Sequence, residues 1–131
     1  MVKRLQHVST PYPRGRQADV RAFYGELLGL TEKPVPSTLA DMELIWFESG
    51  PDELELHFLP DVAPDPRALR HFCLEVEPGS LDHYRRRIEE AGYEISHQAE
   101  IPNRPRFFCR DPFGNLVELT VIEGDYRTGD E

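Results

Sequence analysis

The sequence is poor in the residues that mark secreted, membrane or nucleic-acid-binding chains. Its two cysteines, Cys73 and Cys109, lie in apolar strand-like runs and form no CxxC pair. Neither a disulfide framework nor a thiolate zinc site is expected, and both read as buried free thiols. There is no apolar run of membrane-spanning length, and no charged-then-apolar leader precedes the alternating pattern that begins a few residues after Met1. A cytoplasmic location is therefore the expectation. Basic residues are outnumbered, 15 Lys and Arg against 24 Asp and Glu, for a formal net charge of −9. Without a basic surface to meet phosphates, neither nucleic acid nor an anionic membrane is an expected partner, and a small molecule is. The acidic balance would suit a cationic ligand, although charge of this kind also simply keeps a surface solvated.

With 131 residues and 39% apolar content, the chain is long enough for one compact core and too short for two independent domains. A β-like segment, Leu5 to Tyr12, leads through a polar turn to Val20, Phe23, Tyr24, Leu27 and Leu28. That spacing predicts a helix with Phe23 and Tyr24 in the core, closed by Gly29. Extended runs follow over 30–36, 42–48 and 53–59. A Pro-rich connection then leads to a second strand–helix–strand series: a strand over 70–76, a helix over 80–91 with Ser80 as N-cap and Gly92 as its stop, and strands over 93–98, 106–110 and 116–122. The last two are joined by Asp111-Pro112-Phe113-Gly114-Asn115, a sequence with hairpin-turn chemistry.

The order is therefore repeated. His7 and His71 are 64 residues apart, Gly29 and Gly92 are 63 apart, and Glu55 and Glu118 are 63 apart. The expected fold is α+β, two tandem βαβββ modules forming a cupped, mostly antiparallel sheet. Module one covers 1–60 and module two 67–122, in one domain over 1–122. A polar tail over 123–131 lacks periodicity and is expected to be partly disordered.

Glu55 lies between Leu54 and Leu56, and Glu118 between Val117 and Leu119. Strand parity sends each carboxylate to the face its aliphatic neighbours avoid. On an inner face such a carboxylate is costly unless it is paired, hydrogen-bonded or bound to a cation. A lone strand Glu usually just faces solvent, and a lone His7 or His71 is most often a surface or hydrogen-bonded imidazole. The symmetric placement of all four favours a metal site. Two imidazoles and two carboxylates suit Zn, Ni, Co, Mn or Fe as divalent ions. His57 shares the Glu55 face, so either can compete to be the fourth ligand. Parity also sets Arg106, Phe108 and Arg110 together, opposite Phe107 and Cys109. Trp46 falls on the other parity from Ile45 and Phe47 and reads as core packing against a helix.

Gln6-His7-Val8, the helix from Arg21 through Tyr24-Gly25-Glu26-Leu27-Leu28-Gly29-Leu30, Arg70-His71-Phe72, and Asp111-Pro112-Phe113-Gly114-Asn115-Leu116-Val117-Glu118 together resemble the vicinal-oxygen-chelate superfamily. That is the glyoxalase, bleomycin-resistance and extradiol-dioxygenase group. The resemblance covers nearly the whole chain to about Ile122. It implies a glyoxalase-like fold in which His7, Glu55, His71 and Glu118 ligate a metal, with Glu55 or Glu118 moving a proton. It further implies that His57, Arg106 and Phe108 face substrate, with Arg106 holding an anionic group, and that the chain forms a homodimer with shared active sites.

Three functions compete. The first is a metal-dependent lyase, isomerase or thiol transferase acting on a small oxygen-chelating substrate. Lactoylglutathione lyases carry Arg and Asn where this chain has Pro11 and Leu59, which weakens that particular activity; Ser9 matches a fosfomycin-type thiol transferase. The second is a metal-free protein that binds a drug, and the third an Fe(II) extradiol-type dioxygenase using His7, His71 and Glu118.

Overall fold

A computed structural model describes residues 1–128, so the last three residues of the expected tail lie outside the described residues. The chain divides into two compact units, one of Met1–Pro66 with Pro112–Asn115, the other of Arg67–Asp111 with the chain from Leu116 onward.

In the first unit, β1 (His7–Tyr12), β2 (Thr31–Lys33), β3 (Ile45–Glu48) and β4 (Glu55–Pro60) form a four-stranded sheet in the order β1-β4-β3-β2. β1 pairs with β4 in parallel and the other contacts are antiparallel. Pro11 is tolerated because β1 is an edge strand, where a missing N–H leaves no ladder bond unmade. Alternation puts Tyr12, Leu56, Phe58, Ile45 and Phe47 on the buried face, where they meet Val20, Phe23, Tyr24 and Leu28. The Tyr24 ring lies 4.5 Å from that of Phe58 and 6.3 Å from that of Phe47. Tyr12, fully buried, donates its hydroxyl to the backbone oxygen of Glu43 at 2.5 Å. The 112–115 turn also belongs to this unit. Its Phe113 ring sits 6.4 Å from Tyr12, and Asn115 donates to the Pro11 oxygen at 2.9 Å.

The helix read from the Val20–Leu28 spacing is present but is only briefly α. Helix α1 (Gln17–Val20) runs straight into a π-helical segment (Arg21–Leu27). The Leu28 amide reaches back five residues to Phe23 at 3.0 Å, and Gly29 at φ +78° closes the turn. Between the expected extended runs of 30–36 and 42–48 lies a 3₁₀ segment (Ser37–Met42), which takes in the first residue of the second run, so that strand begins only at Ile45.

The second unit repeats the plan. Strands β5 (His71–Glu75), β6 (Ile95–Ser96), β7 (Arg106–Arg110) and β8 (Leu116–Thr120) are ordered β5-β8-β7-β6, again with the first and last strands parallel. Helix α2 (Leu81–Glu90) carries Ile88, which is fully buried. The helix ends as the sequence predicts. Gly92, at φ +96°, donates to Glu89 at 2.9 Å and Tyr93 to Ile88 at 3.1 Å, the paired bonds of a Schellman stop. Its start differs. Ser80 occupies the N-cap position, but its hydroxyl donates backward to the Glu77 oxygen at 2.6 Å instead of accepting a helix amide. The first part of the tail is tied down: Glu123 N donates to Asn103 O at 2.9 Å, and Tyr126–Thr128 form a 3₁₀ turn.

The two sheets thus share one strand order, and the fold is α+β with two tandem modules. Register, however, separates their histidines. His7 lies directly across from Glu55, whereas Cys73 lies across from Glu118 and His71 stands opposite Leu116. His71 is thereby two residues earlier, a diagonal neighbour of Glu118 that reaches it along the strand. The 64-residue spacing of the histidines is close to the 63-residue spacing of the glutamates without being structurally equivalent to it.

Candidate metal and substrate site

In the second unit, the non-core face gathers His71 and Cys73 from β5, Glu118 from β8, and Arg106 and Phe108 from β7. Glu118, buried at 7% exposure, has a partner on each oxygen. His71 Nε2 lies 2.9 Å from Oε1, and Arg106 donates to Oε2 at 3.2 Å. The other His71 nitrogen, Nδ1, donates to the Leu69 backbone oxygen at 2.8 Å. A neutral imidazole has one N–H, yet both nitrogens here face oxygen acceptors. An imidazolium satisfies this arrangement, and so does a cation standing where the Nε2 proton would be. Anchoring of one ring nitrogen by a backbone carbonyl, as Nδ1 is here, is how metal-binding histidines are commonly held, leaving the other nitrogen to ligate.

Arg106 continues outward. It donates to Ala99 O at 2.6 Å and its guanidinium sits 5.2 Å over the Phe108 ring, while its Nε is buried without a hydrogen-bond partner. Phe108 also meets the His71 ring edge-on at 5.2 Å. A cleft of about 820 Å³ lined by Leu81 and residues 97–106 opens beside Arg106. Neither His71 nor Glu118 lines it, so Arg106 is its connection to the carboxylate.

In the first unit, His7, Glu55, His57, Trp46 and Lys33 share the face opposite the core. Trp46 is therefore not core packing against a helix. Its indole stacks on His57 at 4.0 Å with the planes 2° apart, and His57 stacks in turn on His7 at 4.2 Å. Trp46 sits on the face its parity indicates; what patterning misassigned is which face meets the helix. His57 Nε2 donates to Glu55 Oε1 at 2.7 Å, and the Lys33 ammonium donates to Oε2. Lys33 and then His57 hold the Glu55 carboxyl down at about 2. Burial pulls His57 below its ordinary value, against the opposing pull of Glu55. His7 Nδ1 donates to Gln6 Oε1 at 2.7 Å.

Each unit therefore brings a histidine and its carboxylate onto one sheet face. Among the described residues no three His, Cys, Asp or Glu side chains are gathered in metal-holding geometry. Donor chemistry in the second unit nevertheless fits a divalent ion, since His71 is fixed through Nδ1 with Nε2 towards the buried Glu118 carboxylate; in the first unit His7 is held through Nδ1 on the face that carries Glu55.

Sequence reasoning missed three neighbours. Cys73 was expected to be buried like Cys109, but it is exposed while Cys109 is not. It shares the His71 face two residues on, a parity signal that could have placed it. The Cys73 thiol still packs against the sheet, and this desolvation together with Glu118 pushes it up to about 12. Gln6 adjoins His7 and was visible only as a neighbour. Lys33 had no signal, because its position depends on how β2 registers with β3.

The glyoxalase/bleomycin resistance protein/dioxygenase superfamily profile matches residues 4–119, and the chain belongs to this superfamily. Among solved structures, it is similar to a Bacillus anthracis protein assigned by name to the glyoxalase family, with 28% identity, TM-score 0.80, and coverage of 93% of this chain and 97% of the other. A glyoxalase/dioxygenase from Nostoc punctiforme is 23% identical at TM-score 0.77, covering 93% and 92%. The fosfomycin resistance protein FosX of Listeria monocytogenes is 16% identical at TM-score 0.78 over 100% of both chains, a likeness of fold. A FosX variant has been solved with Mn(II) and 1S,2S-dihydroxypropylphosphonic acid, at 16% identity, TM-score 0.73 and coverage of 92% and 90%. No curated protein matches the chain. No described helix is long and apolar enough to cross a membrane.

Proposed function

We propose that this protein is a metal-dependent enzyme acting on a small substrate that presents two adjacent oxygens, by lyase, isomerase or thiol-transferase chemistry. The observation that carries the reading is the His71–Glu118–Arg106 constellation, in which a backbone-anchored imidazole and a buried carboxylate face one point beside a guanidinium. His71 and Glu118 supply two ligands to the ion and His7 is the candidate for a further one, whereas both oxygens of Glu55 are already taken by Lys33 and His57.

When bound, the divalent ion supplies Lewis acidity towards substrate oxygens. The chain does the rest. Arg106, with its paired N–H groups, holds an anionic substrate group, and Phe108 packs against it. Glu118 is the better placed of the two carboxylates to move a proton, because a base held at about 2, as Glu55 is, has little affinity for one at neutral pH. His57 orients Glu55. Pro11 and Leu59 stand where a glutathione-binding Arg and Asn would, so the substrate we favour is a small oxyanion such as a phosphonate or an α-hydroxycarbonyl acid. The protein acts as a homodimer.

The test is elemental analysis of purified protein, followed by thermal-shift screening of phosphonates, α-hydroxycarbonyl compounds and catechols with and without added divalent metal. Stoichiometric metal and a ligand whose shift disappears with chelator support the reading. Absence of metal, with no uptake on titration, sinks it. A bound Fe(II) whose occupancy is lost in air would instead favour the dioxygenase. A metal-free binding protein is the second reading, and one observation favours it: Glu55 is fully compensated by the protein's own Lys33 and His57. Ligand binding that survives chelator would establish it.

A further inference from the structure

We infer that Lys33 is the resident counter-ion of Glu55, and that it decides whether the module-one carboxylate enters metal binding at all. This rests on the divalent-ion reading above and deepens it. The two modules offer their carboxylates differently. Glu118 meets the ligand-type imidazole His71 at 2.9 Å. Glu55 has His7 directly across the parallel ladder, yet His7 bonds to Gln6 instead, and the Glu55 oxygens go to His57 and Lys33.

Both Glu55 oxygens are thus engaged by groups that are themselves fixed. His57 is clamped between Trp46 at 4.0 Å and His7 at 4.2 Å. Lys33 comes from β2, at the far edge of the same sheet, and reaches the carboxylate past Trp46, its partner in the ladder. The Lys33 and Glu55 side chains are 21% and 8% exposed, so the pair is shielded enough that removing one charge strands the other. An ammonium and a divalent ion seek the same carboxylate oxygen, and only one can hold it. With Lys33 in place, Glu55 stands outside the ion's ligand set; with Lys33 removed, Oε2 loses its partner and is open to a metal while His57 keeps Oε1.

The experiment is calorimetric titration of the full chain with Zn(II), comparing wild type with K33M, E55Q, K33M/E55Q and H71A. E55Q should leave affinity within about twofold of wild type. K33M should tighten it about tenfold or more, a change of the size, though opposite in sign, that losing an outer-shell partner commonly makes, and K33M/E55Q should lose that gain. K33M without metal should melt below wild type and recover on adding Zn(II), which a merely structural lysine would not show. If K33M does not fold, K33Q takes its place in the cycle. Wild-type affinity that falls tenfold in E55Q, or stays unchanged in K33M, overturns the inference. Loss of binding in H71A together with an unchanged K33M leaves the metal reading standing and overturns only the role of Lys33. A gain in K33M with no loss in H71A does the reverse, and no binding by any chain overturns both.

Discussion

At the scale of single residues, Glu55 shows how a buried carboxylate is made tolerable without an ion. Its folded value of about 2 lies below the ordinary 4.5 because Lys33 and His57 bond to the charged form. The stabilisation from the ionised group is therefore fully present above pH 4.5 and is lost as pH falls towards 2. E55Q should flatten the acid limb of the stability profile across that window, measured as urea midpoints at successive pH values; an unchanged limb would place the cost of acid elsewhere. The thiols give a second residue-scale outcome. Burial pushes Cys109 up to about 12, and Cys73 reaches a similar value beside Glu118. Both should alkylate slowly in the native protein at pH 8, with Cys73 the faster because it is exposed. Glu55 and Glu118 stood out in the sequence as repeated strand carboxylates, whereas His7 and His71 share nearly the same spacing but differ in register. Lys33 did not stand out, since a lysine on a three-residue strand acquires its meaning only from cross-strand register.

At the scale of elements, helix α2 was the most legible, because a serine and a glycine bracket its periodic run. Gly92 sits at φ +96° with open space where a Cβ would be, so G92A meets no clash and registers backbone strain alone. A loss of about 1–2 kcal/mol is expected in chemical denaturation. A cost near zero would mean that the helix end relaxes. Truncating its buried anchor, I88A, should cost about 2–5 kcal/mol by the same measurement. The π-helical segment was not legible. Val20, Phe23, Tyr24 and Leu28 suit a helical face of either kind, and it is the backbone that widens here to bury all four. Nor was the face of β3 that meets the helix: parity separates Trp46 from Ile45 and Phe47 without saying which side is the core.

At the scale of the whole molecule, the repeat is what sequence shows best. Two sheets with the same strand order follow from one pattern written twice, although the histidines do not superpose in register. The homodimer proposed here predicts twice the 15.1 kDa chain mass by light scattering at micromolar concentration; a monomer that still binds metal would contradict shared sites. The most direct test of the central claim is anomalous diffraction from crystals soaked in Zn(II). The account predicts a peak about 2.0–2.2 Å from both His71 Nε2 and a Glu118 carboxylate oxygen. A fully soaked crystal with no peak at that pair, or with Zn(II) bound elsewhere, would contradict it.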